Sequence, residues 1–314
     1  MKVSVAMITY NHEEFIAKAI DSVLMQRTSF EYEIVIGEDC STDNTRNIVI
    51  DYQKKYPDKI RLLLHDKNQG MLLNGAQTLA NCKGKYVAVL EGDDYWTSPD
   101  KLQKQVDFLD NHSECVICFH NVLIVYNDGS HETHPYCPPN QKQFSTVEDL
   151  LILGNFMPSC SKMYRSELLG KIPDWIFSLK MGDWPYDICI AHHGKIGYLN
   201  EIMGVYVIHP SGAWYMIRHD KKEWYKADIE CYEKLHTHLG TIYKKIIARQ
   251  LNDKYLALSE ELADAGDLAM AKRYAVRCVT VISMVSTKLL KILLRLYIPS
   301  IYNLLRYVKR AAVD

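Results

Sequence analysis

Two common phosphate loops are missing from this chain. It contains neither a G-x-G-x-x-G turn nor a G-x-x-x-x-G-K-[ST] loop, which excludes a standard dinucleotide Rossmann site and a P-loop. No uninterrupted apolar stretch reaches the roughly 18 residues of a membrane-spanning helix. A basic, apolar, small-residue leader is also absent from the N-terminus, so translocation by that route is not expected and the chain is expected in the cytoplasm. There is no charge excess of either sign: 37 Lys and Arg stand against 38 Asp and Glu, which gives no global pull toward nucleic acid and makes any basic surface local. The nine cysteines are scattered. The closest pair, Cys115 and Cys118, alternates within an apolar strand pattern and forms no paired C-x-x-C metal set, so reduced, mostly buried thiols are expected.

What is present is an ordinary globular composition, 48% hydrophobic and 24% charged over 314 residues, enough for two modest domains with real cores. Strand and helix patterns alternate from the start. Val3 to Ile8, Tyr32 to Gly37, Ile60 to His65 and Tyr86 to Leu90 read as strands. Between and after them, Glu13 to Met25, Asp43 to Tyr56, Gln69 to Ala80 and Pro99 to Leu109 carry apolar residues at helical spacing. Four such repeats predict a mostly parallel sheet flanked by helices. The alternation ends at Cys115 to Tyr126, a long β-branched strand. From His131 to Asn155 the chain is proline-bearing and irregular, which suits a loop or lid.

The most informative segment follows the fourth strand. The apolar run Tyr86 to Leu90 stops on Glu91-Gly92-Asp93-Asp94. A strand this apolar lies inside a sheet with both faces covered, and parallel sheets bind ligands beyond the carboxyl ends of their strands. Three carboxylates gathered there repel one another unless a divalent cation such as Mg²⁺ or Mn²⁺ sits among them. The simplest alternative is that Asp93 and Asp94 merely precede the helix opened by Pro99, with Ser98 as its cap. The first strand delivers Thr9-Tyr10-Asn11 to the same edge, and the second delivers Glu38-Asp39-Cys40-Ser41-Thr42-Asp43. A carboxylate there can accept the ring N–H of a pyrimidine, while Thr or Asn bonds a ribose or base oxygen. Ser41 to Asp43 have the composition of a helix cap, which leaves Glu38 and Asp39 to be explained.

Taken in order, Thr9-Tyr10-Asn11, Glu38-Asp39-Cys40-Ser41-Thr42-Asp43, Asn68-Gln69-Gly70 and Glu91-Gly92-Asp93-Asp94 with Pro99-Asp100-Lys101-Leu102 resemble the family 2 glycosyltransferases of GT-A fold. The resemblance covers about residues 1–215. It implies an α/β catalytic domain that binds a nucleoside diphosphate sugar through Thr9, Tyr10, Asn11, Glu38, Asp39, Asn68, Gly70 and Asp93. It also implies a divalent metal, Mn²⁺ or Mg²⁺, on Asp93 and Asp94, with His209 from the later Tyr206-Val207-Ile208-His209 segment either completing the shell or bonding the diphosphate. Glu38 and Glu91 stand where the family usually has Asp, and Glu91 is placed near the sugar. Lys180-Met181-Gly182-Asp183-Trp184-Pro185 looks like the segment bearing the family's catalytic base, which makes Asp183 the candidate. On residue type alone, Asp183 after Gly182 reads rather as a turn residue. Trp184 and Trp214, with Tyr95 and Trp96, can stack on a sugar, although aromatics near sheet edges commonly pack.

Residues 216–314 read as a helical C-terminal region, with helices over Lys222 to Leu239 and Tyr243 to Ala265 and a helical hairpin around Ala265-Gly266-Asp267. Its tail, 286–311, carries Lys288, Lys291, Arg295, Tyr302, Arg306 and Lys309/Arg310 along one helical stripe among Leu and Ile. Such a stripe suits an inner-membrane surface, a second copy of the chain, or simply the solvated face of a core helix. The expected activity is an inverting transfer of a hexosyl or N-acetylhexosaminyl group, from a UDP-sugar to a hydroxyl of a glycan or lipid-linked acceptor in surface polysaccharide synthesis. Two rivals are a non-catalytic nucleotide-sugar-binding scaffold and a sugar nucleotidyltransferase. The second would carry a glycine-rich N-terminal triphosphate loop, which is missing.

Overall fold

The computed structural model describes residues 1–212, 220–281 and 287–303. Trp214 and the boundary placed at 215/216 lie outside the described residues, as do Ser286 and residues 304–311 of the tail. The chain divides into two compact units, Met1–Pro210 and Ser211–Asp314.

In the first unit, strands β1 (Val3–Thr9), β2 (Tyr32–Glu38), β3 (Ile60–Leu64) and β4 (Tyr86–Glu91) are parallel, in the order β3-β2-β1-β4. Every residue of β2, and all but one of β1, is buried, as expected of strands covered on both faces. The cover comes from helices α1 (Ile16–Leu24), α2 (Thr45–Lys55), α3 (Met71–Ala80) and α4 (Lys101–Asn111). Ile16, Ala19, Ile20 and Val23 of α1 and Leu102, Val106 and Leu109 of α4 form apolar stripes that fill the core. Two helix starts differ from the sequence expectation. Helix α4 begins at Lys101 behind Asp100, whose own side chain makes no cap bond, while Ser98 Oγ accepts the Asp100 N–H at 3.4 Å. Helix α2 begins at Thr45, and Asp43 is spent on the backbone N–H groups of Thr45 and Glu13.

Beyond β4 the sheet runs through β9 (Met163–Arg165), β6 (Cys115–Tyr126) and β10 (Lys195–Ile208) to β5 (Tyr95–Trp96), with β7 (His134–Pro135) on β6 and β8 (Phe144–Ser145) on β10. The short β9 is antiparallel to both β4 and β6, while β10 is parallel to β6. Only the end of β10 is readable in the sequence, because register shifts between Leu199 and Ile202 and again before Val205 break its alternation. The segment from 131 to 155 is also not wholly irregular. Thr146 and Asp149 form a reciprocal capping box that starts helix α5 (Val147–Leu153). All nine cysteines are free, and seven of them are buried.

The close approach of α3 to β2 depends on Gly37. A Cβ there would lie 2.1 Å from Thr78 Oγ1 and 2.2 Å from Asn74 Oδ1, and Asn74 also donates to the Gly37 carbonyl at 2.9 Å. Gly37→Ala is therefore expected to cost about 1–3 kcal/mol through overpacking, readable as a lowered midpoint in urea unfolding. An unchanged midpoint would mean that α3 can shift freely.

The second unit is helical. Asp220 caps α7 (Lys221–Leu239) by accepting from Lys222 and Glu223. Helices α8 (Lys244–Asp264) and α9 (Leu268–Val281) form a hairpin around Gly266, whose φ of +85° suits glycine. In α10 (Thr287–Tyr297), Leu289, Ile292 and Leu296 are buried, and Arg295 pairs with Asp264 of α8. Part of the tail's apolar stripe is thus used within this unit, leaving Lys288, Lys291, Leu290 and Tyr297 exposed. No helix among the described residues is long and apolar enough to cross a membrane.

Candidate active site

The carboxyl ends of β1, β2, β4 and β10 place their polar residues along one edge. The loop after β1 and the loop after β2 are laced together: Asn11 Oδ1 accepts from the Thr42 N–H, Ser41 Oγ accepts from the Asn11 N–H, and Thr45 Oγ1 accepts from the His12 N–H at 2.8 Å. Asn11 and Cys40 are the two non-glycine residues at positive φ among those described, 54° and 60°. Asn tolerates that region because its short side chain bonds locally.

Both carboxylates after β2 are engaged by the protein. Glu38 is fully buried, accepts the Ser41 N–H at 2.7 Å and pairs with Arg46, which also reaches the His65 carbonyl. Asp39, 2% exposed, accepts the Gln69 N–H at 2.8 Å and the Gly70 N–H at 2.9 Å. It thereby ties Asn68-Gln69-Gly70 to the end of β2, and Asn68 itself accepts from the Gly70 N–H. Glu38 is a structural anchor here. Asp39 keeps lone pairs beyond its two backbone donors, since a carboxylate offers about four acceptor sites. Tyr10 is exposed at the same edge, and Thr9 is buried beneath it.

After β4 the acids separate in role. Asp93 Oδ2 lies 3.0 Å from His209 Nε2 and 3.7 Å from His12 Nε2. His12, Asp93 and His209 each offer one atom within 4.8 Å of the others, the only such trio of potential ligands found among the described residues. Burial would raise the Asp93 carboxyl, but the His209 hydrogen bond and the two imidazoles hold it below the ordinary range. Burial, outweighing the attraction of Asp93, lowers His12 and so favours the neutral imidazole that binds metals. Glu91 is pushed up to about 7 by burial and then by the charge of Asp93. Asp94 is raised well above the carboxylate range by burial, Asp93 and Glu91. Two carboxylates raised by crowding, with Glu91 Oε2 and Asp94 Oδ2 both buried and unbonded, are what a cluster arranged around a cation looks like without its charge. The donor set fits a divalent metal. Ligands at adjacent corners of an octahedron with bonds of about 2.1 Å lie about 3.0 Å apart, close to the observed Asp93–His209 spacing. Asp94 does not join the trio; its Oδ1 accepts the Val207 N–H at 2.8 Å and fastens the turn to β10.

Asp183 is the first residue of α6 (Asp183–Ala191), exposed at the positive end of the helix. Asn155 Nδ2 donates to its Oδ2 at 2.7 Å. The preceding Gly182 packs against Leu72 of α3, a Cβ there standing 2.6 Å from Leu72 Cδ2, which puts the start of α6 beside the Asn68-Gln69-Gly70 loop. Within α6, the buried Lys162 Nζ meets Asp187 Oδ2 at 2.5 Å, and the Tyr164 hydroxyl donates to Asp187 Oδ1 at 2.6 Å. Asp187, Asp183 and Glu91 together overcome burial and hold Lys162 charged. Trp184 is turned inward, 8% exposed, with Nε1 donating to the Leu150 carbonyl. Trp96 is likewise buried and bonded to the Cys160 carbonyl, with Lys101 Nζ 3.6 Å from its ring.

Sequence reasoning passed over His12, Asn155 and Lys162. The first carried a usable signal, being a histidine directly after the Thr9-Tyr10-Asn11 strand end; the other two lie on segments without a recognisable pattern.

Residues 4–172 match the family model described as glycosyl transferase family 2. An uncharacterized protein of Mycobacterium tuberculosis is 36% identical over 225 residues, 71% of this chain and 64% of that protein. The chain thus spans about 64% of the length of the first curated relatives it matches. Among solved structures, residues 1–349 of Staphylococcus aureus TarS with UDP-GlcNAc superimpose with a TM-score of 0.67 at 19% identity, covering 90% of this chain and 81% of that one. A mannosyltransferase from Pyrobaculum calidifontis with GDP-Man and Mn²⁺ gives 0.60 at 18% identity, covering 99% and 86%. The fold is GT-A.

Proposed function

The chain belongs to glycosyl transferase family 2, and from that premise we propose that it is a metal-dependent, inverting glycosyltransferase that uses a UDP-sugar donor. The observation that carries this reading is Asp93, held between two imidazoles at the ligand edge of the sheet, 3.0 Å from His209 Nε2 and 3.7 Å from His12 Nε2.

Asp39 accepts the ring N–H of the base, and Thr9, Tyr10 and Asn11 line the nucleoside. Gln69 and Gly70 fix the loop against Asp39, and Asn68 braces it by accepting the Gly70 N–H. Asp93, His209 and His12 would hold a divalent cation, which when bound would supply positive charge against the departing diphosphate. Asp183 takes the proton from the acceptor hydroxyl as that oxygen attacks the anomeric carbon from the face opposite the nucleotide, which inverts the configuration. Asn155 holds Asp183 by one oxygen and leaves the other for the acceptor. Glu91 borders the sugar. The transferred group is a hexosyl or N-acetylhexosaminyl unit, and the acceptor is a hydroxyl on a glycan or lipid-linked oligosaccharide of surface polysaccharide. TarS with UDP-GlcNAc supports the donor, and the mannosyltransferase with GDP-Man and Mn²⁺ supports the metal. The exposed Leu290, Tyr297, Ile298 and Ile301 beside Lys288 and Lys291 support contact of the tail with the inner membrane face.

The test is proton NMR of the product formed from a UDP-α-sugar and a simple glycoside acceptor. A β-linked product is expected, and formation should stop with EDTA. An α-linked product would remove Asp183 from the role of base in a single displacement.

A further inference from the structure

We infer that His12 is a direct metal ligand, and that with Asp93 and His209 it makes a nitrogen-rich site that binds Mn²⁺ in preference to Mg²⁺ before any nucleotide arrives. The inference rests on the divalent-cation part of the function proposed above and not on the identity of the sugar.

Three features show that His12 is set in place. Its backbone N–H is bonded to Thr45 Oγ1 at 2.8 Å. Its Nδ1 faces Thr9 Oγ1 at 3.3 Å, while its Nε2 faces Asp93 Oδ2 at 3.7 Å. A ring whose far nitrogen is engaged by an outer partner presents the other nitrogen in a fixed direction, as metal-bound histidines do. The turn after β4 is also shaped to admit the imidazole. A Cβ on Gly92 would stand 2.7 Å from Thr9 Oγ1 and 3.0 Å from His12 Nδ1, so only glycine lets the acidic turn come this close. His209 is held from its own side, 3% exposed, with its ring 4.8 Å from that of Phe15.

The ligand chemistry then decides between ions. Mg²⁺ demands oxygen ligands, sheds water reluctantly and is commonly bound through one or two carboxylates together with substrate phosphates. Such an ion arrives with the nucleotide. Two imidazoles and one carboxylate suit first-row transition ions, with affinity rising from Mn²⁺ toward Cu²⁺ and Zn²⁺ high in the series. With three protein ligands already converging, the ion needs no diphosphate to complete a binding site. Zn²⁺ should therefore compete with Mn²⁺ for this site.

The experiment is calorimetric titration of Mn²⁺ and of Mg²⁺ into the full chain without nucleotide, with pulsed electron paramagnetic resonance of the Mn²⁺ complex. The wild type is expected to bind Mn²⁺ in a 1:1 ratio, to bind Mg²⁺ far more weakly, and to show couplings from two ¹⁴N nuclei. His12→Ala should lose one coupling and at least the roughly 10–100-fold in Mn²⁺ affinity that loss of an outer partner alone costs. Gly92→Ala, which leaves all three ligands in the sequence but displaces His12, should lose the same coupling. Equal affinity for Mn²⁺ and Mg²⁺, or two ¹⁴N couplings retained in His12→Ala, would overturn the inference. Because nucleotide is absent throughout, either result leaves the donor site to be judged separately by nucleotide binding.

Discussion

Asp93→Ala is expected to abolish Mn²⁺-dependent nucleotide binding and to lower kcat/KM by on the order of 10³-fold, since a metal's stabilisation of leaving-group charge is worth several kcal/mol. Asp93 is the one carboxylate of the trio; without it His12 and His209 have no anion between them. The fold should survive. Removing Asp93 relieves repulsion on the buried Glu91 and Asp94 but also loses the His209 hydrogen bond that holds Asp93 ionised, so the metal-free variant should still melt cooperatively, close to the metal-free wild type. Nucleotide release assays, paired with thermal melts, separate these effects. Metal-dependent turnover near the wild-type level would show that the cation is held elsewhere.

Asp183→Asn should have an effect of similar size on a different quantity. Removing a general base costs roughly 10²–10⁴-fold in rate, so kcat should fall by that factor while binding of UDP and of Mn²⁺ stays unchanged. The substitution is nearly isosteric, and the amide oxygen can still accept from Asn155 Nδ2, which bonds Asp183 at 2.7 Å. Asp187→Asn is the informative control four residues along α6. Asp187 is buried against Lys162 and Tyr164, so its loss leaves a buried ammonium without its main partner and should act first on stability. A variant with low activity but wild-type melting and binding identifies Asp183 as chemistry. Full activity in Asp183→Asn would leave the transferred proton to another group.

The parallel half of the sheet was legible because burial on both faces favours apolar strands, and β1, β2 and β4 are mainly apolar, broken inside only by Ser4 and Glu33. The far half was not. The bulges in β10 and the three-residue β9 break the two-residue period that marks a strand, and neither leaves a composition signal. The candidate residues at strand ends were legible for a related reason: the topology sends the carboxyl ends of β1, β2 and β4 to one edge, which gathers Thr9, Asp39 and Asp93, while His209 is found only through the family resemblance. Which carboxylate faces the ligand could not. Glu38 and Asp94 share the sequence character of Asp39 and Asp93, yet one is tied to Arg46 and the other to the Val207 N–H, partners that only tertiary packing supplies. The same holds for Trp96 and Trp184, whose indole N–H groups are bonded to buried carbonyls.

The most direct measurement is anomalous scattering at the manganese edge from crystals grown with Mn²⁺ and UDP. The account predicts one strong peak bounded by Asp93 Oδ2, His12 Nε2 and His209 Nε2, with diphosphate oxygens on its open side. Bound UDP with no peak there, or with the peak on Asp94, would contradict it.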